Sequence, residues 1–79
     1  MERTNTELLN KIQSVLAQAL KVEVTDISPE TAFGDFPQWD SLGHMELMIL
    51  LEEQFGVEIN ADTITELVSV QAIYEHVAG

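Results

Sequence analysis

Asp40-Ser41-Leu42-Gly43-His44-Met45-Glu46-Leu47-Met48-Ile49-Leu50-Leu51-Glu52-Glu53-Gln54-Phe55-Gly56 is the stretch that decides the fold. Asp and Ser are both N-cap residues, and an acid at this end suits the positive end of a helix dipole. Either Asp40 or Ser41 serves as the cap. Gly56 ends the run as a residue free to take the left-handed conformation. The pattern predicts a helix from about Ser41 to Gln54 or Phe55. At 100° per residue, Leu47, Met48, Leu51 and Phe55 gather on one side, with His44 among them. Leu42, Met45 and Ile49 gather on the opposite side, interleaved with Glu46, Glu52 and Glu53. One helix of a small bundle buries one broad face, so the second stripe is expected to face solvent. An exposed apolar stripe edged by charge marks a protein-binding surface, and methionine suits one that adapts to several partners. The competing reading is that both stripes are core.

The flanks also read as helices. Thr4-Asn5-Thr6-Glu7 has the form of a capping box, and Leu8, Leu9, Ile12, Val15, Leu16 and Ala19 follow on one stripe. A first helix is expected from about Asn5 to Leu20. The helical period is lost between Lys21 and Asp40. Val22 and Val24 alternate too briefly for a strand. Ser28-Pro29-Glu30 pairs an N-cap hydroxyl with proline at N1, so a single helical turn is expected there. Gly34 and Pro37 punctuate the remainder. Ile27, Phe33, Phe36 and Trp39 are expected to pin this long loop to the helices, with Phe33 in the core. Beyond Gly56, Asn60 to Asp62 open a short third helix carrying Thr63, Ile64 and Leu67. Ser69 caps a fourth carrying Val70, Ile73 and Val77. The expected fold is all-α, a four-helix bundle with three main helices and one short one. A long loop joins the first two, and residues 1–79 form a single domain.

Composition narrows the function. The chain has 79 residues, no cysteine, 14 acids against 3 Lys and Arg, and a formal net charge of −11. Hydrophobic residues make up 46%, enough for a packed core. All three basic residues (Arg3, Lys11, Lys21) precede Val22. Such a surface repels nucleic acid and anionic lipid, and attracts basic patches on other proteins. The longest apolar run, Leu47 to Leu51, is far too short to span a bilayer, so no membrane insertion is expected. No apolar segment follows Met1 to Thr4, and the lack of cysteine suits a reducing compartment. A cytoplasmic monomer is the expectation.

The run Asp40-Ser41-Leu42, then Glu46-Leu47, then Leu51 to Ile59, resembles the acyl carrier protein family. The resemblance continues through Val70-Gln71-Ala72-Ile73 and back over the first helix, covering about residues 5 to 77. It implies that a phosphopantetheinyl transferase moves 4′-phosphopantetheine from coenzyme A onto Ser41. The arm's thiol then holds an acyl group as a thioester, which gives a role to the missing cysteine. By the same resemblance, Leu42, Met45 and Ile49 are the partner-contacting stripe. Glu46, Glu52 and Glu53 are its acidic rim, and Asp40 precedes the modified serine. The implied partners are acyl-loading and acyl-processing enzymes with basic surface patches, in fatty-acid, polyketide or related biosynthesis. Leu51, Ile59, Ile64 and Leu67 match positions that line an acyl pocket in the family. Trp39-Asp40-Ser41-Leu42-Gly43-His44 looks closest to stand-alone carriers of a specialised pathway. Catalysis falls to the partner enzymes, so no catalytic residue is assigned.

Gly43 costs about 1 kcal/mol in a helix relative to Ala, and either loosens the first turn, opens access to Ser41 or is tolerated by chance. His44 lies four residues after Asp40, a spacing compatible with a metal pair. No third ligand is apparent, so no metal is assigned and His44 is expected at the core edge. An EF-hand loop would need alternating acids that Asp35 to Glu46 lacks. The alternative reading is an acidic, non-catalytic interaction module, which fits the charge and the stripe without requiring Ser41.

Overall fold

Leu8, Leu9, Ile12, Val15, Leu16 and Ala19 recur at helical spacing. In the computed structural model, which describes residues 6–79, they turn inward along α1 (Thr6–Leu20). Thr4 and Asn5 of the expected capping box lie outside the described residues. The helix stops at Lys21, which takes a left-handed φ of 59° while the Val22 amide donates back to the Ala17 carbonyl at 3.1 Å. α2 (Ser41–Phe55), α3 (Ala61–Glu66) and α4 (Val70–Ala78) complete four helices, with no strand among the described residues. The all-α architecture and the helix order agree with the sequence pattern.

Each later boundary has a local cause. Gly56 ends α2 with φ 72°, as its position after the apolar run requires. Asn60 and Thr63 form a reciprocal capping box at the start of α3: the Thr63 amide donates to Asn60 Oδ1 at 2.9 Å and the Asn60 amide to Thr63 Oγ1 at 3.0 Å. Ser69 Oγ accepts the Ala72 amide at 3.0 Å and starts α4. Ile12, Leu16, Leu47, Met48, Leu51, Leu67, Val70 and Ile73 are all fully enclosed, and α1 packs on both α2 and α4 around them.

The loop between α1 and α2 departs from the expectation in two places. Its single helical turn is a 3-10 turn at Val24–Asp26, not one beginning at Ser28. Ser28 to Thr31 form a β-turn instead, closed by the Thr31 amide on the Ser28 carbonyl at 3.1 Å. Thr31 Oγ1 takes the Ser28 amide at 2.9 Å, and the Thr31 carbonyl accepts from Val70 at 2.9 Å, which draws the chain off a helical path. Phe33 is also not core: it is 44% exposed. Trp39 occupies the interior instead, and Phe33 lies edge-on over it with ring centroids 6.2 Å apart. Ile27 is buried and Phe36 half-buried, as expected of residues that pin the loop. The Phe33 amide donates to the Val68 carbonyl at 2.8 Å, tying the loop to the α3–α4 link.

Candidate functional site

Asp40, not Ser41, caps α2. Asp40 Oδ1 accepts the Gly43 amide at 2.9 Å, and the Asp40 carbonyl accepts the His44 amide at 2.8 Å. Ser41 therefore sits at the first helical position, exposed, and its hydroxyl makes no hydrogen bond among the described residues. The hydroxyls of Ser28, Thr31, Thr63, Thr65 and Ser69 are each engaged by nearby backbone or side chain, whereas Ser41 shares its freedom with Ser14 and Thr25 but, unlike them, stands at the start of an α-helix. The start of a 15-residue helix also carries the positive end of the dipole, a favourable place for an anionic substituent.

Gly43 has a steric reason. A Cβ there would run into the backbone carbonyl oxygen of Gln38 and come within 3.1 Å of Leu20 Cδ2. The loop backbone lies directly on the first turn of α2, and this glycine lets it approach.

The two sides of α2 separate as the helical wheel requires. His44, Leu47, Met48 and Leu51 are buried. Leu42 is 73% exposed, Met45 39% and Ile49 46%, and Glu46, Glu52 and Glu53 are exposed beside them. Ser41, the apolar stripe and the acidic rim thus share one accessible surface.

A hollow of about 380 Å³ opens next to Ser41. Its walls are Phe33 from the loop, His44 and Met45 from α2, Ile64 and Thr65 from α3, and Val68 from the α3–α4 link. Of the four residues assigned to an acyl pocket, Ile64 alone lines it. Leu51 and Leu67 are enclosed in the core, and Ile59 is half-buried against the core outside the hollow. Apart from the Ser41 hydroxyl, the polar side chains that line it are already used. Thr65 Oγ1 donates to the carbonyls of Ala61 and Asp62 at 3.0 and 3.1 Å, and both nitrogens of the His44 ring are hydrogen-bonded. The hollow therefore offers an apolar wall to whatever enters. A second hollow of about 400 Å³ lies between α1 and the end of α2, around Lys11, Ser14 and Phe55, and contains none of these residues.

His44 is buried between Trp39 and α3. Its Nδ1 accepts from Trp39 Nε1–H at 3.1 Å, and its Nε2 lies 2.7 Å from the Ile64 carbonyl oxygen. With both nitrogens facing protein groups, the ring is not disposed to share a cation with Asp40. Nothing in the sequence pattern pointed to Phe33, Thr65 or Val68 as walls of a site, because they meet only through the folded path of the loop.

Residues 10–77 match the family model described as the phosphopantetheine attachment site. The chain belongs to the acyl carrier protein family. It is 35% identical over 72 residues to an acyl carrier protein of Thermosynechococcus vestitus, covering 91% of this chain and 89% of that one. It is 36% identical over 70 residues to an acyl carrier protein of Helicobacter pylori (strain G27), covering 89% and 90% of the two chains. An acyl carrier protein of Rubrobacter xylanophilus is 35% identical over 71 residues. The prosthetic group of this family is 4′-phosphopantetheine. The residues at the head of α2 fit such a group: an exposed hydroxyl with no competing bond, a helix N-terminus beside it, and an apolar hollow next to it. No helix among the described residues is long and apolar enough to cross a membrane.

Proposed function

We propose that Ser41 Oγ is the attachment point for 4′-phosphopantetheine and that this chain carries acyl groups for partner enzymes. The observation that carries the reading is the division of labour at the helix start. Asp40 caps the orphan amide of Gly43, so the neighbouring hydroxyl stays free and exposed. In the loading step Ser41 Oγ forms a bond to the phosphorus of the pantetheine-bearing phosphate of coenzyme A. The bond to the second phosphate breaks, 3′,5′-ADP leaves, and the hydroxyl proton passes to a base on the phosphopantetheinyl transferase. The attached arm supplies a thiol that holds an acyl group as a thioester.

Everything else in the reading concerns binding. The transferase and the acyl-loading and acyl-processing enzymes would dock on Leu42, Met45 and Ile49, with basic patches meeting Asp40, Glu46, Glu52 and Glu53. Apolar contact at the centre and charge at the edge suit an encounter that must be fast and brief. The chain itself performs no catalysis, and it works as a cytoplasmic monomer of one domain. The route is fatty-acid, polyketide or a related specialised synthesis, the last favoured by Trp39, Gly43 and His44 around the serine.

Intact mass after incubation with a phosphopantetheinyl transferase and coenzyme A tests the site. The expected result is the gain of one phosphopantetheine group, absent in Ser41→Ala. A gain that persists in that variant would falsify the assignment.

A further inference from the structure

His44 is buried and plays no part in the attachment or docking just described. Trp39 Nε1–H can only donate, so His44 Nδ1 must accept, and the ring proton sits on Nε2. Nε2–H then donates to the Ile64 carbonyl at 2.7 Å. That carbonyl needs a partner. α3 has six residues, too few to hold itself together, and the last carbonyls of any helix lack intrahelical donors. The Val68 amide, which a longer helix would aim at Ile64, bonds the Glu66 carbonyl instead at 2.9 Å. Asn60 and Thr63 secure the front of α3, and His44 secures its rear from another helix. Ile64 and Thr65 of the same short helix wall the hollow beside Ser41.

We propose that His44 is a positioning residue: the Trp39–His44–Ile64 strap fixes α3 against α2 and so sets the width of the apolar hollow beside Ser41. Its consequence for a carried group rests on the Ser41 reading; the strap itself does not. Displacing α3 would move the wall formed by Ile64 and Thr65 relative to Met45 on α2. A group carried on Ser41 that turns into the hollow is shielded from water only while that wall stands.

Amide hydrogen exchange on the full, unloaded chain tests the strap without reference to Ser41. In His44→Leu, the Ile64 and Leu67 amides are expected to exchange at least about tenfold faster, while Leu16 in α1 and Ile73 in α4 stay within about threefold. His44→Gln keeps an N–H donor on a side chain of similar reach and should hold Ile64 and Leu67 within about threefold of the parent. His44→Asn, too short for that carbonyl, serves if the leucine variant does not fold and should behave like it. Unchanged Ile64 and Leu67 exchange in the leucine or asparagine variant overturns the strap. So does equal acceleration in all helices, which would make His44 merely core, or a glutamine variant no better than leucine. A second arm loads each variant from hexanoyl-coenzyme A with a phosphopantetheinyl transferase, releasing 3′,5′-ADP, and follows thioester hydrolysis. Faster hydrolysis in the strap-broken variants supports the role of the hollow, and equal rates overturn it. Failure of the parent to load removes the Ser41 reading and its shielded cargo, and leaves the exchange result to judge His44 alone.

Discussion

The carboxylate of Asp40 holds the amide of Gly43 at 2.9 Å, three residues into the helix it opens. This bond satisfies one of the four amides that a helix start leaves without partners, and it relieves Ser41 of that task. The cap and the free hydroxyl are adjacent in sequence and opposite in role.

Removing the cap should be measurable apart from any effect on loading. Asp40→Ala is expected to lower folding stability by about 1 kcal/mol, the usual loss for an N-cap. Asp40→Asn, which caps as well, should stay within about 0.5 kcal/mol of the parent. Both should load more slowly if the charge also meets a basic patch on the transferase. Urea unfolding and a loading time course separate the two effects. Equal stability of the alanine variant and the parent would show that the cap contributes nothing.

Gly43 gives a prediction whose sign opposes helix propensity. On propensity alone, Gly43→Ala should stabilise α2 by about 1 kcal/mol. The close approach of the Gln38 carbonyl and Leu20 Cδ2 reverses this. A methyl group there forces the loop backbone away, and a net destabilisation of about 1–3 kcal/mol is expected. A higher melting temperature for this variant would mean that the loop can yield at no cost.

The four helices were legible because each carries its own local signals: Gly56 as terminator, Asn60 and Ser69 as caps, and apolar residues at helical spacing. The surface of α2 was legible for a related reason, since a helix with apolar residues all round cannot bury both sides in so small a bundle. The loop was not. Phe33 and Trp39 are both large aromatics in a stretch without period, and composition cannot say which enters the core. The answer depends on the Phe33 amide reaching Val68, a contact that exists only once the α3–α4 link has docked, and on Trp39 turning in to reach His44. The reason for Gly43 was hidden likewise, because its obstacle is the backbone of Gln38. Of the four pocket residues inferred from resemblance, Leu51 and Leu67 lie in the core, and only Ile64 borders the hollow.

The two sides of α2 should answer substitution differently. Leu47→Ala removes a fully enclosed side chain and is expected to cost about 2–5 kcal/mol. Leu42→Ala and Met45→Glu alter exposed residues and should change stability by no more than about 0.5 kcal/mol. Met45→Glu is nevertheless expected to slow transfer to partner enzymes about tenfold or more, because it places a charge in the centre of the apolar stripe. Circular dichroism melts and transfer rates at matched concentrations check both. A Met45→Glu variant that melts early but transfers normally would return this residue to the core.

Salt should move docking and folding in opposite directions. The formal net charge is −11, and Glu46, Glu52 and Glu53 stand exposed beside the apolar stripe. Attraction to a basic partner is screened as ionic strength rises, so kcat/KM for loading should fall about tenfold between about 0.02 and about 0.5 M sodium chloride. Glu46→Gln combined with Glu53→Gln should flatten that slope. The same salt screens repulsion among the acids of the isolated chain, so its melting temperature should rise over the same range. A fall in both quantities would mean that salt acts by loosening the fold. Loading independent of salt would leave the acidic rim without a part in partner binding.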